Sequence, residues 1–261
     1  MKRPPRLSLL ILLAVLYWLP ARSAHADSYG GFTTDLNIAI RVAEHYWGAK
    51  IVGFHPISKI IPYVVDGQIS CGTQPIPAQN AAYCPIGDFI AYDRNWSEQV
   101  YNDMGDAFVF YLLGHEYGHG IQQRLGIQYQ FTIYQELQAD CFSGAMIGDS
   151  IKTGDLTLDT GDVEELKAGL VSVGDPPDEP WFQEGAHGSP EQRESSFFGG
   201  YDNSLDACDM PAGHGSVAAP AAPGFPAPTP TDSANPFPGT RNPFPGWTNP
   251  LPQPTTPMWP W

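Results

Sequence analysis

The segment His115-Glu116-Tyr117-Gly118-His119 follows, after Gly114, on the apolar run Phe108-Val109-Phe110-Tyr111-Leu112-Leu113. This junction restricts the fold more than any other part of the chain. The spacing predicts a helix from about Asp103 to Arg124, with Gly126 as its stop. Gly114, Gly118 and Gly120 lie inside it. Each costs about 1 kcal/mol relative to alanine in a helix interior. That cost requires compensation, either from close packing of a second helix or from room for a bound group. On such a helix the two histidines, four residues apart, project from one face a single turn apart.

Two imidazoles in that relation can both reach one Zn²⁺ ion, and Glu116 projects beside them, within reach of a water on the metal. The pattern implies hydrolase chemistry, most readily peptide hydrolysis. Taken alone, the five residues would also describe a helix with two hydrogen-bonded histidines. A third ligand strengthens the metal reading, because catalytic zinc keeps three protein ligands and one open position. Glu136 and Asp140 sit four residues apart on the next predicted helix. Glu136 can complete a His₂Glu set with His115 and His119. Asp140 can accept a hydrogen bond from a ligand histidine and fix its orientation.

The ends of the chain are of a different character. Lys2, Arg3 and Arg6 precede an apolar stretch from Leu7 to Leu19, and Ala24-His25-Ala26 offers a small-x-small cleavage site. This predicts a secretory signal peptide over residues 1–26, since about 13 apolar residues are too few to span a bilayer. No later segment is long and apolar enough to cross a membrane, so no stable span is expected after cleavage. Removing residues 1–26 removes four basic residues and no acids, taking the net charge from −15 to −19. Such acidity argues against nucleic acid as a partner. Residues 216–261 hold 14 of the 27 prolines and repeat Asn-Pro-Phe-Pro-Gly at 235–239 and 242–246. They predict a disordered, largely extended tail. Its Phe237, Phe244, Trp247, Trp259 and Trp261 could touch a cell-envelope partner.

An even number of cysteines in an exported chain points to disulfides. Cys71, Cys84, Cys141 and Cys208 allow three pairings. The favoured set joins Cys71 to Cys84 around a Gly/Pro-rich loop and Cys141 to Cys208. A four-cysteine zinc site is the rival, without the close spacing such sites usually show.

Between the two ends, residues 27–215 read as one α+β domain, mostly helical, with a small sheet. An amphipathic helix is predicted over Thr33–Trp47, capped by Thr33 or Thr34. Short β-prone runs follow at Ile51–Phe54, Tyr63–Val65 and Phe89–Tyr92. Further helices are expected over Thr132–Ser150 and Asp162–Val173, and from Ser189-Pro190 to Phe198. His45 and His55 lack partners at ligand spacing and read as structural.

His115-Glu116-Tyr117-Gly118-His119, then Glu136-Leu137-Gln138-Ala139-Asp140-Cys141, then His187-Gly188-Ser189-Pro190-Glu191-Gln192-Arg193 occur in an order that resembles the neutral zinc metallopeptidase family of bacteria. Tyr83-Cys84-Pro85, Ile90-Ala91-Tyr92-Asp93 and Asp206-Ala207-Cys208 extend the resemblance over about residues 60–210. The resemblance implies a gluzincin-like fold, with zinc on His115, His119 and Glu136 and with Glu116 as general base. It also implies the same two cysteine pairs. Ser195-Ser196-Phe197-Phe198 departs from a stretch that tends to be basic and tryptophan-containing in that family, so the resemblance does not extend to substrate preference.

Such a reaction needs a second electrophile for the oxyanion. His187 is the leading candidate. Arg193 reads more readily as an ion-pair partner, and Tyr134 is a weaker alternative. The segment Asp88–Asp93 is the expected sheet edge for a substrate strand. Two other functions fit the same residues: a non-catalytic envelope protein on this scaffold, working through its tail, and a zinc hydrolase of cell-wall amides.

Overall fold

The computed structural model describes residues 31–209 apart from Pro177. The expected signal segment over 1–26 and the expected disordered tail over 216–261 lie outside the described residues. Helix α1 covers Phe32–Lys50. Strands β1 (Lys59–Tyr63), β2 (Ser70–Cys71), β3 (Gln74–Pro75), β4 (Ala81–Cys84) and β5 (Phe89–Asp93) follow. The remainder is helical: α2 (Arg94–Met104), α3 (Ala107–Leu125), α4 (Thr132–Thr153), α5 (Asp162–Ser172), α6 (Pro190–Asn203) and a short 3₁₀ turn, Ser204–Ala207. The α+β architecture, mostly helical with a small sheet, is the one the sequence predicts. Among the described residues no helix is long and apolar enough to cross a membrane.

Helix α3 is buried on nearly every side, from Ala107 through Gln122. It packs against α1, α4, α5 and β4, so it forms the centre of the domain. Its apolar half joins one core with Trp47, Phe142, Met146 and Phe197. The expected close approach of a second helix is present. A Cβ at Gly118 would lie 3.1 Å from the backbone of Ala139 on α4, and one at Gly114 would collide with Ser143. Gly120 faces the other way, toward Ile57 and Tyr83.

A second glycine seam joins α4 to α6. A Cβ at Gly144 would overlap the Phe197 carbonyl, and one at Gly200 would overlap the Cys141 carbonyl. Gly199, one residue away on α6, has nothing within 4 Å of its Cβ position. Gly144→Ala should therefore destabilise the protein by about 1–3 kcal/mol, since backbone cannot yield as a side chain can. Gly199→Ala should be neutral or stabilising by up to about 1 kcal/mol. Urea unfolding of the two variants checks the opposite signs.

Several local expectations are corrected. Helix α1 begins after Gly31 with no side-chain cap, so neither Thr33 nor Thr34 caps it. Ile51–Phe54 is a bend, and the first strand ends at Tyr63, leaving Val64 and Val65 exposed in a loop. The helix expected from Asp103 is α3, which begins at Ala107, and a separate, unexpected helix, α2, precedes it. Helix α2 starts at Asp93, whose side chain accepts hydrogen bonds from the Asn95 and Trp96 amides. It ends at Gly105, whose φ of 125° breaks the helix before α3 begins. The entry to α6 is as expected: Ser189 and Gln192 form a capping box, with Pro190 in the first turn.

The main sheet has the order β1-β5-β4, with β1 parallel and β4 antiparallel to β5. Phe89–Asp93 is therefore the central strand. The expectation that Asp88–Asp93 forms an edge is overturned, because β1 pairs along the side of β5 not taken by β4. The edge strand packed on α3 is β4. Disulfides join Cys71 to Cys84 and Cys141 to Cys208. This excludes the four-cysteine zinc site. The second bridge ties the 3₁₀ turn to α4 across 67 residues of chain.

Candidate metal centre

The facing glycines set the site. Because Gly114 and Gly118 bring α3 against α4, the histidine face of α3 meets the α4 turn that carries Glu136. His115 Nε2 lies 3.1 Å from Glu136 Oε2 and 3.1 Å from His119 Nε2. His119 Nε2 lies 3.4 Å from Glu136 Oε1. Two nitrogens and a carboxylate thus converge, all their ligand atoms within 4.8 Å of one another. A tetrahedral ion with bonds of about 2.05 Å separates its ligands by roughly 3.3 Å, so these spacings fit a zinc-sized ion. Asp106, Asp162 and Glu165 form another close group, with oxygen donors only. Zinc prefers a set that includes nitrogen or sulfur.

His115 is held from behind. Asp140, fully buried, lies 2.8 Å from His115 Nδ1 and accepts from the Tyr111 hydroxyl at 3.0 Å. Arg193 grips the same carboxylate through two bonds: Nε to Oδ2 and Nη2 to Oδ1, both 2.9 Å. Arg193 is itself 3% exposed and also donates to the Val173 carbonyl. Burial opposes charge on His115, but Asp140 and Glu136 outweigh it and lift its pKa to about 10. Burial likewise works against an ionised Glu136, yet the two histidines hold its carboxyl well below the usual carboxylate range.

Glu116 stands apart from the converging atoms. Its Oε2 accepts from the backbone amide of Tyr83 in β4 at 2.7 Å. Burial raises its pKa against the pull of both histidines. A carboxylate moved toward neutral pH and held at one oxygen can exchange a proton at the other. Below it, Tyr83 donates to Asp88, which pairs with Arg124 at 2.9 Å and accepts from Ser58. These contacts fix β4 to the last turn of α3.

The sequence candidates separate accordingly. His115, His119, Glu136 and Asp140 come together, with Glu116 beside them. Arg193 pairs with Asp140, the role an ion pair would give it. His187 faces Asp175, with Nδ1 3.4 Å from Oδ1, in a loop whose Ala186 packs on Ile133 and Leu137 of α4. Tyr134 sits in an aromatic cluster with Phe131 and Trp181. His45 is exposed near Asp155, and the His55 carbonyl accepts from Arg124. Tyr111 and Gln122 were not anticipated. Gln122 follows His119 by three residues, a helical spacing that could have revealed it.

The family model described as "Putative neutral zinc metallopeptidase" matches residues 54–210. The uncharacterised protein YpfJ of Escherichia coli K12 is 27% identical over 209 residues, covering 69% of this chain and 70% of its own length. The uncharacterised protein Rv2575 of Mycobacterium tuberculosis is 26% identical over 169 residues, covering 52% of this chain and 56% of its own length. No solved structure matches.

Proposed function

Since the chain belongs to the neutral zinc metallopeptidase family, we propose that it is an exported zinc-dependent peptidase, with His115, His119 and Glu136 holding the metal and Glu116 acting as general base. The observation that carries this reading is the convergence of two imidazole nitrogens and one carboxylate at 3.1–3.4 Å, with a separate buried carboxylate alongside. Zn²⁺ supplies a Lewis acid that makes water a competent nucleophile near neutral pH. Glu116 takes the proton from the attacking water and passes it to the leaving amine. Its Tyr83 hydrogen bond occupies Oε2 and leaves Oε1 for that exchange.

Asp140 and Arg193 keep His115 turned so that Nε2 faces the site. His187 remains the candidate oxyanion donor, on the strength of its loop lying against the first turns of α4. A substrate strand would pair along the outer side of β4, whose Tyr83 amide already reaches Glu116. Export is supported by the leader-like residues 1–26 and by two disulfides, which persist in oxidising compartments.

The test is metal analysis of the full chain purified without chelators, joined to digestion of a peptide library. One zinc per chain is expected. Hydrolysis should vanish when zinc is stripped and return when zinc is restored. Protein that holds no zinc, or cleavage that survives metal removal, would overturn the assignment. Cell-wall amides belong in the same assay, to separate peptide from non-peptide substrates.

A further inference from the structure

Behind His119 runs a chain of neutral amides. His119 Nδ1 lies 2.9 Å from Gln122 Oε1. Gln122 Nε2 donates to the Gln135 carbonyl at 2.7 Å and to Gln138 Oε1 at 3.1 Å. Gln135 Nε2 donates back to Gln122 Oε1 at 2.6 Å. Gln138 Nε2 reaches the carbonyls of Cys208 and Asp209 at 2.9 and 3.2 Å. Gln122 and Gln138 are 0% and 1% exposed.

The partners determine which end of each amide is which. A backbone carbonyl can only accept. The Cys208 and Asp209 carbonyls therefore take the Nε2 end of Gln138, which turns its Oε1 toward Gln122. The Gln135 carbonyl takes the Nε2 end of Gln122, which turns Oε1 toward His119. An acceptor at that position requires hydrogen on His119 Nδ1. The lone pair of Nε2 then points at His115 and Glu136. His115 receives the same orientation from an ionised Asp140, whose charge Arg193 balances. Among the described residues no Lys or Arg joins the amide chain, so a carboxylate in place of Gln122 would be a further buried anion with no guanidinium or ammonium to balance it.

We propose that Gln122 is the positioning residue that fixes His119 with Nδ1 protonated and Nε2 presented to the metal. We further propose that Gln138 anchors this constraint to the Cys208 carbonyl, beside the Cys141–Cys208 bridge. The proposal rests on the metal-site reading above. Hydrogen-bond partners of ligand histidines typically carry about 10–100-fold of metal affinity.

Two measurements on the full-length protein test it: zinc affinity by chelator competition, and imidazole nitrogen NMR of the zinc-loaded protein. In the wild type His119 should bind through Nε2 and show a hydrogen-bonded Nδ1 proton. Gln122→Met, close in size but without the acceptor, should weaken zinc binding by about 10–100-fold. Gln122→Glu keeps the acceptor and should bind zinc more tightly than Gln122→Met, at some cost in stability. Gln138→Leu should weaken zinc binding less than Gln122→Met. Metal bound through His119 Nδ1 in the wild type would overturn the proposal. So would Gln122→Met with affinity within about twofold of the wild type, well short of that expected loss. If Gln122→Met fails to fold, the wild-type spectrum decides, together with Gln138→Leu, which should bind zinc more weakly than the wild type; affinity equal to the wild type would count against the anchor. A wild type that takes up no zinc would defeat the metal-site reading itself, a result distinct from zinc bound equally well without Gln122.

Discussion

Glu116→Gln should lower peptide turnover by about 10²–10⁴-fold while zinc content and folding stay unchanged. The two halves of this expectation come from different contacts. Glu116 is not among the converging ligand atoms, so removing its charge leaves His115, His119 and Glu136 in place. The Oε2 contact to the Tyr83 amide survives as well, because the glutamine carbonyl oxygen can accept the same bond. Only the capacity to take and return a proton is lost. Burial lifts the Glu116 pKa, which narrows the gap to neutral pH and makes the carboxylate a stronger base than an exposed one. The decisive comparison is kcat, KM and bound zinc for the two proteins side by side. Turnover within about tenfold of wild type, below the range expected for a lost general base, would assign the proton to another group. Loss of zinc in the variant would make Glu116 a structural part of the metal site.

The convergence of these side chains was largely legible in the sequence because it is carried by helical spacing. His115 with His119, and Glu136 with Asp140, are pairs four residues apart. A helix places such pairs on one face whatever the rest of the fold does. The costly glycines at 114 and 118 announced the second helix that brings the two pairs together. What stayed hidden depends on partners far away in the chain. That Arg193 would find an acid was readable from composition, but that the acid is Asp140 depends on how α6 lies on α4. The glycine seam at Gly144 and Gly200 sets that packing, and nothing local to either residue marks it. The edge assignment of Asp88–Asp93 failed for a related reason. Phe89–Asp93 is β-prone and short, and strand order is decided by its return between β1 and β4, parallel to β1, rather than by its own residues. Helix α2 carries Trp96, Val100, Tyr101 and Met104 at helical spacing, but so few apolar residues in an otherwise polar segment hid it.

Arg193→Met should destabilise the protein by about 3–5 kcal/mol, the usual cost of leaving one member of a buried ion pair without its partner. Asp140 is fully buried and Arg193 nearly so, and water cannot replace the lost guanidinium. At about 2–4 °C per kcal/mol for a domain of this size, Tm should fall by about 6–20 °C. Methionine fills much of the arginine stem's volume, so the loss reads the charge rather than a cavity. Of the remaining donors to Asp140, the Tyr111 hydroxyl is neutral, and His115 can balance the charge only by taking a proton on Nε2, the atom it offers to the site. Asp140→Asn in the Arg193→Met background removes the stranded charge while keeping an acceptor for both. The double variant should therefore be at least as stable as Arg193→Met alone, although it carries one more substitution. Thermal unfolding of the two single variants and the double variant measures this directly. If Arg193→Met unfolds within about 1 kcal/mol of wild type, below the range for a broken buried pair, the interaction is not the constraint that orients His115. The task of fixing that ring would then fall to the α3–α4 packing at Gly114 and Gly118.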